Sequence, residues 1–197
     1  VYGGDELNFL NELIKEHFYI NGIFSFSDMD KNNDKYLSLI AQKYLDKIKE
    51  ISKNSKRVTD KLPINFKWIG FIRVMLPNSK IIHCTRNPKD TCLSIYKNYF
   101  TNRELNYAYD LEELVAFYNL YNDLMKFWKR NFPKLIIEIK YENLIKNPKK
   151  EIKNLIKRCD LPWNENCMKF YNNKRAIKTA SDTQARSKIY ASSINSW

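Results

Sequence analysis

The chain is poor in the residues that build metal centres and disulfide frameworks. It has only two histidines and four cysteines among 197 residues. The cysteines, Cys84, Cys92, Cys159 and Cys167, include no C-x-x-C pair, which argues against a zinc site. Cys84 and Cys92 fall in a predicted strand and a predicted helix, where free cysteine packs as a small buried hydrophobe, so reduced thiols are expected. There is no run of about eighteen apolar residues and no signal-like start, so no membrane segment is expected and the expected location is the cytoplasm. No internal repeat or linker interrupts the chain, and its length suits one domain. It opens on Val1 rather than Met, so a fragment of a longer protein is expected.

What is present is apolar material and positive charge. Hydrophobic residues make up 44% of the chain, enough for a sizeable core and too much for a disordered one. The net charge of +12 has two readings. Either an anionic partner is bound, such as a nucleotide, a sulfated or phosphorylated substrate, nucleic acid or an acidic surface, or the lysines simply solvate the surface. The 14% aromatic content could serve nucleic acid, but most aromatics fall on helical core stripes rather than on one strand face as a stacking platform.

Periodicity divides the chain into alternating helices and short strands. Residues 6–21 carry Leu7, Leu10, Leu13, Ile14 and Phe18 at helical spacing, with Gly22 expected as a left-handed cap. Residues 25–34 read as a loop, and a second helix runs from about Asp34 to Ser52. Residues 57–60 are β-like, 64–76 a short helix, 80–84 a strand, and 88–100 a helix opened by Pro88. After a loop over 101–110, a helix from Leu111 to about Asn131 aligns Leu114, Val115, Tyr118, Tyr121, Met125 and Trp128. Residues 135–139 form a strand followed by Tyr141-Glu142, 151–159 a helix, and Asn164 caps a short helix to Asn172. The polar tail, 173–197, reads either as a solvated terminus or as a ligand-covering loop pinned by Ile177, Ile189, Tyr190 and Trp197. The pattern is that of an α/β domain with a mainly parallel sheet.

Residues 80–100, KIIHCTRNPKDTCLSIYKNYF, read as strand, basic loop and helix in succession, the order that builds an anion site. Free N–H groups and the positive dipole end of the helix would face the carboxyl edge of the strand. Arg86 adds a full charge, and Ser94, roughly two turns on, reaches the same anion if the ligand lies along the helix. The plainer alternative for Arg86 is an ordinary surface cation. Lys61 can be a surface lysine paired with Asp60, and Glu6 can favour a first helical turn through the dipole alone. His83 reads as a satisfied core histidine, and His17 sits on a helix among exposed neighbours.

Three separated segments, VTDKLPINFKWIGFIRVMLPNSKIIHCTRNPKDTCLSIY, YENLIKNPKKEI and TASDTQARSKIYASSINSW, carry a resemblance to the sulfotransferase superfamily. The chain is most similar to bacterial sulfotransferases often fused to tetratricopeptide repeats, themselves similar to protein-tyrosine sulfotransferases. The resemblance covers essentially the whole chain. It implies a P-loop-like three-layer α/β fold that binds 3′-phosphoadenosine-5′-phosphosulfate (PAPS) as co-substrate. The sulfuryl group would pass to a hydroxyl acceptor such as a peptide tyrosine, a sugar or a metabolite, with no metal required. By the same resemblance, Arg86 and Ser94 match the 3′-phosphate pair, and Tyr141 matches a cofactor-contacting tyrosine. Residues 181–190, with Ser181, Gln184, Arg186, Lys188 and Tyr190, match the loop that closes over the cofactor. Lys61 matches the base beside the leaving phosphosulfate bridge, Ser181 a second donor there, and Glu6 the general base of the tyrosine-sulfating relatives.

The departures carry expectations too. Ser196 stands where relatives often have Arg or Lys before the closing Trp, and Asn98 rather than a base lies four after Ser94. Gly3 stands where the tyrosine-sulfating relatives have a cysteine. The superfamily's first strand and its Gly/Ser/Thr-rich 5′-phosphosulfate loop would lie upstream of Val1. The 197 residues are therefore expected to be the C-terminal major part of one sulfotransferase domain, inactive and weak in nucleotide binding when isolated. The rival readings are a basic nucleotide- or nucleic-acid-binding module that has lost catalysis, and another P-loop-like phosphotransferase.

Overall fold

Two pairs of short strands frame the first 79 residues. The computed structural model describes residues 1–25, 29–101, 103–172, 189 and 197, with the side chains of 29–33 and 103 left aside. The chain divides into two compact units, Val1–Ser79 and Lys80–Trp197. Among the described residues no helix is long and apolar enough to cross a membrane.

In the first unit, β1 (Tyr2–Gly3) lies parallel to β4 (Val58–Thr59), with Tyr2 opposite Val58 and Gly3 opposite Thr59. The helix α1 (Phe9–Phe18) is shorter than the periodicity over 6–21 predicts. It gives way to a hairpin of β2 (Tyr19–Ile20) and β3 (Ile23–Phe24). The reason lies in Asn21-Gly22, where both residues have positive φ, 51° and 79°. An Asn-Gly pair serves a two-residue hairpin turn as readily as its Gly serves a helix cap. Packing favours the hairpin, since it delivers the Phe24 ring to Phe18, Trp68 and Phe71, with centroids 6.1–6.2 Å apart.

The helix α2 (Met29–Ser52) begins five residues ahead of Asp34, within the stretch read as a loop. Residues 30–33 contain neither Pro nor Gly, so a helix anchored downstream propagates back through them. Ile40 and Tyr44 of α2 join Leu10, Leu13, Ile14 and Phe18 of α1 in the core, together with Trp68 and Met75. Those last two lie on a 3-10 turn (Pro63–Trp68) that runs into α3 (Ile69–Met75), where one continuous helix was expected.

In the second unit, β5 (Ile81–Thr85) and β6 (Ile136–Lys140) are parallel and in register from Ile81 opposite Ile136 to Thr85 opposite Lys140. The connection runs through α4 (Pro88–Tyr96), a 3-10 segment (Arg103–Tyr109) and α5 (Leu111–Asn131). Asp110 caps α5, its Oδ1 accepting the N–H groups of Glu112 and Glu113 at 2.9 Å. Leu114 and Met125 of the expected stripe are buried, whereas Val115 is half exposed. After β6 come α6 (Tyr141–Lys146), α7 (Pro148–Arg158) and a 3-10 segment (Glu165–Asn172). Pro148 opens α7 at its first position, as its fixed φ and missing N–H allow.

The α/β class stands. Two of the three strand pairings among the described residues are parallel. The cysteines are free as expected, but they are not buried: Cys84 is exposed and the other three are half-buried. Cys84 alternates with His83 along β5, so it points to the opposite face of the strand.

Candidate active site

The β1–β4 pairing extends beyond its two strands and so brings Glu6 to Lys61. Gly4 donates its N–H to Thr59 O at 2.7 Å, and Lys61 donates its own to Asp5 O at 2.9 Å. Gly4 is required by this approach. A Cβ there would lie 2.6 Å from Thr59 O and 2.8 Å from Leu7 Cδ1. Asp5 then turns the chain at φ 59°. The Lys61 ammonium pairs with the Glu6 carboxylate. This answers both plainer readings: α1 starts at Phe9, beyond Glu6, and Lys61 pairs across the chain rather than with its neighbour.

Asp60 is turned inward instead. Its Oδ1 accepts the Leu7 N–H at 3.4 Å and its Oδ2 accepts the Tyr44 hydroxyl at 2.9 Å. Burial pushes the Asp60 carboxyl up, and its hydrogen bonds with Tyr44, Leu7 and Asn65 partly offset that. Burial, reinforced by the Asp60 charge, pushes the Tyr44 phenol up as well. Asp60 thus ties α2 to the residue after Glu6 while sitting next to Lys61 in the chain. The sequence reading had it only as the neighbour with which Lys61 could pair.

In the second unit, Arg86 leaves β5 half-buried with its guanidinium 5.3 Å from the centre of the Tyr141 ring. The ring follows β6 as Arg86 follows β5, so the strand register brings the two together. A planar guanidinium held against an aromatic face suits recognition of a phosphate. Ser94 is exposed on α4, and its carbonyl accepts from the Asn98 amide at 2.6 Å. The Lys89 ammonium lies 3.4 Å from the centre of the Trp197 ring, which puts the chain's last residue beside the first turn of α4.

The start of α4 differs from the expectation of open N–H groups. Asn87 caps the helix, its Oδ1 accepting from the N–H of Lys89 at 2.9 Å and of Asp90 at 3.4 Å. Pro88 has no N–H to offer. The Asn87 N–H itself goes to Glu142 Oε1 at 2.7 Å. The three N–H donors at this helix start, those of Asn87, Lys89 and Asp90, are all engaged, so an anion here would be held by side chains.

Behind β5, His83 is hydrogen-bonded through Nε2 to the Tyr121 hydroxyl, and its Nδ1 is 3.8 Å from Glu138. Glu138 also pairs with Lys129. Burial and then the Lys129 charge push the His83 imidazole down, against an upward pull from Glu138. His83 is thus an interior histidine as read, but satisfied only in part: Nε2 is bonded to Tyr121, while the buried Nδ1 has no hydrogen-bond partner among the described residues. His17 bonds through Nδ1 to Leu13 O, a local helix contact. The residues Ser181, Gln184, Arg186, Lys188 and Tyr190 lie outside the described residues.

Comparison with known proteins fits this arrangement. Residues 5–165 match the model of the Sulfotransferase family, and the chain belongs to that family. The match contains Glu6, Lys61, Arg86, Ser94 and Tyr141 and stops short of residues 181–190. A relative, an uncharacterized protein of Aquifex aeolicus (strain VF5), is 36% identical over 167 residues. That alignment covers 84% of this chain but only 22% of the relative, so the chain spans about a fifth of the length of the protein it matches.

Proposed function

We propose that the whole protein transfers the sulfuryl group of PAPS to a hydroxyl acceptor, with a peptide tyrosine as the favoured substrate and sugar or metabolite hydroxyls as competitors. The observation that carries this reading is the ion pair between Glu6 and Lys61, residues 55 apart in sequence. A carboxylate that can accept a proton and an ammonium that can meet developing negative charge stand side by side. In the reaction, the acceptor oxygen attacks sulfur in line and its proton passes to the Glu6 carboxylate. The bond between sulfur and the bridging oxygen breaks, and that oxygen leaves with the electron pair on the 5′-phosphate of 3′-phosphoadenosine phosphate (PAP). Lys61 stabilises the charge as it develops, with Ser181 as a second donor.

The pair suits this work because it is cheap to separate. Its side chains are 59% and 43% exposed, and such ion pairs contribute only about 0–1 kcal/mol. Lys61 can turn to the donor and release Glu6 to the acceptor. Arg86 and Ser94 take the 3′-phosphate, Tyr141 packs against the nucleotide, and residues 181–190, with Gln184, Arg186, Lys188 and Tyr190, cover it. The donor set is side-chain cation, hydroxyl and aromatic face, which fits a phosphorylated nucleoside.

The test is transfer of labelled sulfate from PAPS by the full-length protein to a tyrosine peptide, a sugar and a phenolic metabolite. Label on the peptide supports the reading in full. Binding of nucleotide with no transfer to any acceptor would favour a nucleotide-binding module without chemistry. Preference for ATP over the 3′-phosphorylated nucleotide in competition would favour a phosphotransferase.

A further inference from the structure

Glu142 follows Tyr141 in the first turn of α6, and nothing in the nucleotide reading above uses it. The geometry gives it a task. The offset of 55 residues that pairs Thr85 with Lys140 continues past the strand ends, placing Arg86 beside Tyr141 and Asn87 beside Glu142. In a capping box, the cap residue accepts an N–H from the first turn while an acidic side chain three residues on returns to the cap's own N–H. Here Asn87 performs the first half with Lys89 and Asp90. Position three is Asp90, which is buried at 1% exposure, and the carboxylate that receives the Asn87 N–H comes from α6 instead.

We infer that Glu142 is a positioning residue for the nucleotide site: by completing the α4 cap from a second helix, it locks the β5–α4 turn to the end of β6 and holds Arg86 against Tyr141. This inference rests on the assignment of Arg86 to the 3′-phosphate. The physical case is that Arg86 sits between two fixed points. On one side it leaves a strand in register with β6, and on the other it enters a residue whose N–H is bound to the helix that carries its aromatic partner. The negative charge also lies where the α4 dipole favours it. Without the carboxylate, the Asn87 N–H loses its acceptor, and the turn that carries Arg86 loses its tie to α6.

The experiment uses the full-length protein and compares Glu142→Ala, Glu142→Gln and Arg86→Ala in PAP affinity, in steady-state kinetics, and in hydrogen exchange over the peptide containing Asn87. Glu142→Ala should weaken PAP about tenfold, the low end for losing a hydrogen bond to a charged acceptor. KM for the donor should rise while kcat at saturating donor holds. Glu142→Gln keeps an acceptor oxygen and should stay within about threefold of the parent. The Asn87 amide should exchange slowly in the parent and in Glu142→Gln, and fast in Glu142→Ala. Parent-like PAP affinity in Glu142→Ala overturns the inference, as does equal weakening by Gln and Ala. Should Glu142→Ala fail to fold, fast exchange of the Asn87 amide in the parent itself would overturn it. If instead Arg86→Ala binds PAP like the parent, the 3′-phosphate assignment fails, while the exchange data still report on the Glu142 lock.

Discussion

The two charged clusters of this chain are built in opposite ways. Lys61 and Glu6 meet in a half-exposed ion pair supported by backbone pairing of two-residue strands. Arg86 stands just past the end of a five-residue strand, against an aromatic ring, beside a helix start whose three N–H donors are all engaged. The first arrangement can exchange partners at little cost, and the second cannot. Groups that move a proton and meet a leaving oxygen need to be released at the moment of reaction. A group that recognises a phosphate gains from being fixed beforehand.

The largest expected effect falls on the exchangeable pair. Glu6→Gln should lower turnover by about 10²–10⁴-fold, the usual worth of a general base, and full activity in that variant would break the comparison. Next comes the fixed site. Arg86→Ala should weaken PAP by about 1.5–3 kcal/mol, the range for hydrogen bonds to a charged group, as read by calorimetry. An unchanged affinity would remove Arg86 from the nucleotide site.

Asp60 sharpens the contrast inside the first unit, because it is the rigid part behind the labile pair. Asp60→Ala leaves the Leu7 N–H and the Tyr44 hydroxyl without their acceptor. It should cost about 1–3 kcal/mol of stability in denaturant, and Asp60→Asn, which keeps an oxygen, should cost less. If both variants unfold like the parent, Asp60 does not support the site.

The smallest effect concerns pH. The His83 imidazole titrates below its ordinary value in the folded chain because it is buried and faces Lys129. The neutral ring is therefore the one the fold favours. Its contribution is fully present above the unfolded value of about 6.5 and is lost as pH falls through the lower folded value. Glu138, held below its usual range chiefly by its hydrogen bond to Lys129, loses its own contribution only at more acid pH. Replacing His83 by Phe should flatten the fall in melting temperature just below pH 6.5, and an unchanged slope would assign that fall to other groups.

The second unit was largely legible in the sequence and the first was less so, for a physical reason. The helices α4 and α5 and the strands β5 and β6 announce themselves by long periodic or apolar runs bounded by Pro88, Asp110 and Pro133. Tyr2–Gly3 is too short to have a period, and it becomes a strand only because Val58–Thr59 lies beside it. Asn21-Gly22 carries one signal that two structures use, and the aromatic cluster around Phe24 decides between them. In the site, the resemblance supplied Glu6, Lys61, Arg86 and Tyr141, whereas the bonds that Asp60 and Glu142 make went unread. Their partners lie 53 and 55 residues away, and no local pattern marks a carboxylate for a distant backbone N–H.

The division of labour is tested most directly by titrating PAP calorimetrically into Glu6→Gln and Arg86→Ala of the full-length protein, side by side. Glu6→Gln should bind PAP as tightly as the parent despite its lost turnover, and Arg86→Ala should bind it more weakly. Loss of affinity in Glu6→Gln equal to that in Arg86→Ala would contradict the account.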